Sequence, residues 1–138
     1  MAAPSTAPAI MRRSDFEALA DQAWEAIPET FRERFSNVAI FVQDEPTPAQ
    51  LRAGRVPRGG TLLGLYQGVP LSQRGHGYGM VLPDQVTLFQ GPIEAYARDP
   101  ADIPGIVYDT LWHELAHHLG MNEREVRAAE RRRGVDRD

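Results

Sequence analysis

The sequence predicts a single α+β domain, and three observations support this prediction. Apolar residues recur at helical spacing near the start of the chain and again before Gly120. Short β-branched and aromatic runs lie between these two segments. The length of 138 residues fits one domain. We expect that domain to span residues 14–133, with poorly ordered tails at 1–13 and 134–138.

The first helix is predicted to begin at Ser14 and to end before Pro28. Ser14 and Glu17 have the spacing of a capping box, in which each side chain satisfies a backbone N–H of the first turn. A short second helical turn is expected around Phe31 and Phe35. The apolar stripe of the first helix comprises Phe16, Leu19, Ala20, Ala23, Trp24 and Ile27.

Strands are predicted in the middle of the chain, where β-branched and aromatic residues cluster between turn residues. The expected strand regions are 38–42, 61–66, and 80–82 with 85–89 on either side of a Pro-Asp turn. Further helical turns are expected over residues 50–53 and 93–97.

A long helix is predicted after Asp102, its candidate N-cap, with Pro104 in the first turn, where a missing N–H is tolerated. The helix is expected to run to about Leu119 and to end at Gly120, because glycine is favoured in a left-handed C-terminal cap. A final helix is expected from Asn122.

Composition excludes several classes of protein. The chain has no cysteine, which excludes disulfides and thiolate metal sites, so a transition metal would need imidazole and carboxylate ligands. The net charge of -4 argues against a nucleic-acid partner. The first ten residues do not have the pattern of a signal peptide, and no segment is long enough to span a membrane. A cytoplasmic location and a monomer are the default expectations.

His113 and His117 lie four positions apart in the long helix. On a helix they are separated by about 40° around the axis and by one turn along it. Their imidazoles can therefore converge on one ion at zinc–nitrogen distances of about 2.0–2.1 Å. Glu114 follows the first histidine and flanks the ion without coordinating it, which is the place for a general base acting on water.

The remaining positions of this helix agree with that orientation. At about 100° per residue, an apolar arc lies between roughly 160° and 300° from His113. The opposite face carries His113, His117 and Thr110, so the helix is expected to bury one side and to present the histidines to a cleft. The residues of the apolar arc are Leu111, Trp112, Leu115, Ala116 and Leu119.

A catalytic zinc needs a third protein ligand. Gly120 allows the chain to turn back, and Glu123 is our predicted third ligand, with Glu125 as the second choice. The alternative is that Glu123 only interacts with the dipole of the final helix.

The segment HELAHHLGMNEREV from His113 resembles the signature of small bacterial zincin-like metallopeptidases, the minimal zincins, whose pattern is HExxHxxGxx followed by Asp or Glu. The resemblance covers about residues 14–131. It implies a short mixed β-sheet packed against the HExxH helix, with flanking helices. It also implies one zinc ion held by His113, His117 and Glu123, with Glu114 as the base. Further similar segments are 27–29, 37–40, 44–46, 63–68, 83–84 and 91–93.

Four other residues are candidates for supporting roles. His118 is expected either to orient Glu114 or a backbone carbonyl, or to lie at the edge of the core. Asp109, one turn before His113, either accepts the ring N–H of that histidine or is a solvated carboxylate. In the glycine-rich loop 72–79, His76 or Tyr78 either stabilises an oxyanion or belongs to an ordinary turn between strands.

The predicted function is hydrolysis of peptide bonds in a peptide or protein substrate, with water activated by the metal and Glu114 as the general base. The alternative is a zincin-like module that binds a metal and a peptide or partner protein without cleaving it.

Overall fold

The computed structural model describes residues 10–35, 37–68 and 82–120. It confirms the α+β class. In these ranges the chain forms α1 (Arg13–Ala26), α2 (Glu29–Arg32), β1 (Val38–Gln43), α3 (Pro48–Ala53), β2 (Gly64–Gln67), β3 (Asp84–Phe89), α4 (Gln90–Tyr96), a 3-10 turn (Pro100–Asp102) and α5 (Ile103–His118).

The three strands form one mixed sheet in the order β1-β3-β2. β1 pairs with β3 in parallel, from Val38 opposite Asp84 to Gln43 opposite Phe89. β2 pairs with β3 in antiparallel orientation. Among the described strands, β1 and β2 are therefore the two edges of the sheet. The predicted mixed sheet is confirmed, although β2 begins later than the predicted 61–66.

The start of α1 corrects one prediction. Ser14 and Glu17 do not form a capping box, because α1 begins one residue earlier, with Arg12 at the N-cap position and no side-chain capping bond. A capping box does form at α3, where Thr47 and Gln50 bond reciprocally to each other's backbone N–H.

The segment before α1 is attached to α4. The backbone N–H groups of Ile10 and Met11 donate to the Glu94 carboxylate at 3.2 and 3.1 Å. Gln90 donates to Met11 O at 2.8 Å and to Glu94 at 3.0 Å. Ile10 and Met11, which lie before the predicted domain boundary at residue 14, are therefore bonded to α4. The domain limits of 14 and 133 stay a prediction.

The core lies between the long helices and the sheet. α1 contacts α5 and β1, and α5 also contacts β2 and β3. None of the helices in the described ranges is long and apolar enough to cross a membrane. The largest fully buried side chains are Phe16, Ile27, Val86, Leu88, Phe89, Ile93, Ile103, Val107, Leu111 and Leu115.

Candidate metal centre and active site

The ends of α5 lie where the sequence predicts them. Asp102 is at the N-cap position and Pro104 is in the first turn. The Asp102 side chain makes no capping bond; instead Asp99 caps the preceding 3-10 turn by accepting from the N–H of Ala101. At the other end, Gly120 has a φ of +75°, the left-handed conformation that glycine adopts without strain.

The two faces of α5 separate the histidines from the core. Leu111, Trp112, Leu115 and Ala116 are buried, while His113 and His117 are exposed. Four of the five residues of the predicted apolar arc are thus buried, and Leu119 is half-buried.

Thr110, which the sequence places on the face of His113 and His117, lines the same cavity as His113 but is covered by β2. Its exposed fraction is 9%, and it packs against β2. A Cβ placed on Gly64 would lie 2.7 Å from Thr110 Cγ2, so glycine is what allows β2 to approach α5 this closely. This contact sets the distance between the edge strand and the site helix.

His113 and His117 lie beside each other, with ring centroids 6.1 Å apart and ring planes inclined by 73°. Two imidazoles on one tetrahedral ion have centroids about 5 Å apart, so a small adjustment brings these rings to a common metal. His113 Nδ1 lies 2.8 Å from the backbone carbonyl of Asp109. When Nδ1 donates to that carbonyl, Nε2 is the nitrogen that coordinates. The two imidazoles therefore fit as two of the ligands of a zinc ion.

The Asp109 interaction refines a prediction. The sequence suggests that this residue supports His113 through its carboxylate or is solvated. It supports His113 through its main-chain carbonyl, the acceptor one helical turn before the ring.

Glu114 is half-buried between α5 and the edge strand β2. Its Oε1 accepts a hydrogen bond of 2.8 Å from the backbone N–H of Tyr66. Burial raises the pKa of Glu114, and this effect is opposed by the Tyr66 N–H and then by the nearby His117 and His113. The carboxyl group thus lies in the low-polarity setting that favours a general base.

Comparison with known proteins agrees with this geometry. A family model described as zincin-like metallopeptidase matches residues 35–133. The chain belongs to the zincin-like metallopeptidase family. The matched region contains α5 and the three strands that the structure describes. A solved structure of a conserved hypothetical protein from Thermo thermophilus is similar, with 27% sequence identity and a TM-score of 0.53. That similarity covers 79% of this chain and 94% of the other. A search of curated proteins finds no match.

In this zincin-like chain, Tyr66 of β2, Asp84 of β3 and His118 of α5 form a cluster beside Glu114. The Tyr66 hydroxyl donates to Asp84 Oδ2 at 2.7 Å. His118 stacks on the Tyr66 ring, with centroids 3.9 Å apart, and its Nε2 lies 3.8 Å from Asp84 Oδ2. His118 therefore contacts the strand residue whose N–H holds Glu114, at the edge of the core.

Tyr66 is the residue that the sequence did not identify. Its contribution to the site is a backbone N–H, which every residue except proline carries, so no side-chain pattern marks it. Only the approach of β2 to α5 reveals its contact with Glu114.

Of the four residues of the predicted zincin centre, the structure brings together His113, His117 and Glu114. Glu123 lies outside the described residues. In the ranges that are described, no group of three or more His, Cys, Asp or Glu side chains is placed to hold a metal. The other predicted candidates outside the described residues are Glu125, His76 and Tyr78.

Proposed function

We propose that the chain is a zinc-dependent peptidase in which His113, His117 and Glu123 hold the metal. The observation that carries this proposal is the pairing of the two exposed imidazoles, with His113 oriented by the Asp109 carbonyl. Their donor set matches the chemistry of a zinc site with imidazole and carboxylate ligands. Bound there, zinc would supply Lewis-acid activation of water and of the scissile carbonyl.

Glu114 is the proposed general base. Because its Oε1 accepts from the N–H of Tyr66, Oε2 is the oxygen that would take the proton of the attacking water. The same carboxyl group would then give a proton to the leaving amine. A carboxyl group fixed by one hydrogen bond and shielded by burial is suited to both steps.

β2 is the proposed docking edge for a peptide or protein substrate. β2 is an edge strand of the described sheet and lies beside α5, next to Glu114. An extended peptide laid along this edge would gain main-chain hydrogen bonds next to Glu114.

The deciding experiment compares metal content among histidine variants purified without added zinc. We expect about one zinc per chain in the wild type and its loss in His113→Ala and His117→Ala. His118→Ala is the matched control: it removes the neighbouring exposed imidazole, which stacks on Tyr66, and should retain zinc. Equal zinc loss in all three variants, or no zinc in the wild type, would overturn the proposal.

Turnover is measured separately on a mixed peptide library with the zinc-loaded protein. Cleavage that stops on chelation and returns with zinc supports the peptidase. Bound zinc without cleavage supports instead a module that binds metal and a peptide or partner without hydrolysis.

A further inference from the structure

We propose that His118 is a positioning residue for Glu114. It fixes the register of α5 on β2, and it thereby holds the hydrogen bond from the Tyr66 N–H to the Glu114 carboxylate. This inference rests on the proposed function, because it takes Glu114 as the general base. His118 follows the candidate ligand His117 but lies about 100° further around the helix axis, and its ring contacts β2.

Three residues of α5 that are spaced four apart form one stripe along β2. Thr110 packs against Gly64, since a Cβ on that glycine would lie 2.7 Å from Thr110 Cγ2. Glu114 accepts from the N–H of Tyr66, and His118 stacks on the Tyr66 ring. Four helical residues rise about 6 Å and two strand residues about 6.6–6.8 Å, so the stripe and the strand stay matched over this length.

The same match continues to the end of the described part of β2 and its exit. A Cβ on Gly68, two residues after Tyr66, would lie 3.9 Å from His118 Cε1, an ordinary contact distance. His118 therefore lies between two strand positions, in the same way that Thr110 lies beside Gly64 one end earlier. The stripe contacts β2 on both sides of Glu114.

The Tyr66 side chain is held from two directions. The His118 ring lies on its face, with centroids 3.9 Å apart and planes inclined by 15°. Its hydroxyl donates to Asp84 Oδ2 at 2.7 Å. Stacking sets the ring plane and the hydroxyl bond sets the direction of the ring within that plane. The backbone N–H of the same residue is thus placed relative to α5.

Loss of the His118 ring would leave the stripe in contact with β2 on only one side of Glu114. The strand could then move away from the helix at Tyr66, and the bond to Glu114 Oε1 would lengthen. A misplaced base transfers protons more slowly, because catalysis needs near-ideal placement of the reacting groups. The candidate metal ligands lie on a different face and should still bind zinc.

The first measurement is exchange of the Tyr66 amide with deuterium, followed by NMR in the full chain. We expect His118→Ala to speed this exchange about two- to tenfold, the factor that corresponds to one aromatic pair. His118→Phe keeps a ring that can stack and should exchange at the wild-type rate. Phe41→Ala is the control, because Phe41 is an exposed aromatic residue on the other edge strand β1, and it should leave the rate unchanged.

The second measurement is steady-state kinetics of the zinc-loaded protein on a peptide that the wild type cleaves. His118→Ala should keep its zinc and lower kcat about two- to tenfold with KM unchanged, because the placement of the base matters in the transition state and not in substrate binding. His118→Phe should restore kcat. A purely structural role would instead lower the amount of folded protein and leave its kcat unchanged.

Several outcomes would overturn the positioning role. These are an unchanged Tyr66 exchange rate in His118→Ala, a wild-type kcat in that variant, or an effect on KM alone. A loss that His118→Phe does not restore would also overturn it, since the ring nitrogens and not the stacking would then matter. If the wild type cleaves no peptide, the proposed function fails, and the exchange rates still decide whether His118 holds the bond from Tyr66 to Glu114.

Discussion

The backbone N–H of Tyr66 donates to Glu114 Oε1 at 2.8 Å, so the candidate base on α5 is held by the edge strand β2. His118, one helical turn beyond Glu114, stacks on the ring of the same tyrosine. One strand residue therefore contacts two residues of α5. The position of the base depends on how closely β2 is packed against the helix.

The first prediction concerns this hydrogen bond. Glu114→Ala removes the acceptor, so the Tyr66 amide should exchange with deuterium about tenfold faster, as expected for the loss of a hydrogen bond to a charged group. Exchange is measured residue by residue by NMR. The Leu65 amide, which faces β3 in the antiparallel ladder, is the internal control and should keep its protection. Unchanged exchange at Tyr66 would show that the bond does not persist in solution.

The second prediction concerns catalysis. Glu114→Gln retains an oxygen that accepts from Tyr66 but cannot take a proton from water. We expect it to keep its zinc and to lose about 10²–10⁴-fold in peptide turnover. Glu25→Gln is the matched control, because Glu25 is exposed on α1 and far along the chain from the site, and should retain full turnover. Wild-type turnover by Glu114→Gln would remove this residue from the mechanism.

The sequence predicted those parts of the molecule that depend on local pattern. α5 was recognised from its apolar spacing and from Gly120, which has the left-handed φ that its position suggested. The exposed placement of His113 and His117 followed from the same helical geometry. Helical spacing and a glycine cap involve residues only a few positions apart, so the sequence of a single segment is enough to predict them.

The parts that were missed depend on contacts between distant segments. β2 begins at Gly64 and not at Thr61, because pairing with β3 sets its limits. Thr110 is buried because β2 packs on it, which helical geometry alone does not reveal. Tyr66 was missed because a backbone N–H carries no sequence signal.

The third prediction concerns the link between Tyr66 and Asp84. Their hydrogen bond is 2.7 Å long, and the Asp84 side chain is only 13% exposed. Tyr66→Phe should therefore lower the free energy of unfolding by about 1–3 kcal/mol, since it leaves a partly buried charged acceptor with one donor fewer. Chemical denaturation measures this loss.

A double-mutant cycle with Asp84→Ala, which removes the acceptor, tests whether the loss belongs to that bond. The two substitutions should lower stability by less together than the sum of their separate effects. Asp15→Ala is the control, since the Asp15 side chain is 55% exposed and pairs with Arg12 at the surface, and it should lower stability by less than about 1 kcal/mol. Strict additivity in the Tyr66 and Asp84 cycle would contradict the coupling.

The fourth prediction concerns the close approach of β2 to α5. Gly64→Ala would place a Cβ 2.7 Å from Thr110 Cγ2 and 3.2 Å from the Thr87 carbonyl oxygen, so strand and helix must move apart. We expect a loss of about 1–3 kcal/mol in the free energy of unfolding. Gly68→Ala is the matched control, because its nearest neighbours would lie at ordinary contact distances of 3.7 Å or more.

Thr110→Ser removes the methyl group that the new Cβ would meet, so it should restore part of the stability lost in Gly64→Ala. The same displacement should lengthen the bond from Tyr66 to Glu114, which begins two residues along β2. Gly64→Ala should therefore also speed exchange of the Tyr66 amide, and Thr110→Ser should slow it again. Stability that falls without any change at the Tyr66 amide would show that the strand holds Glu114 independently of its spacing from the helix.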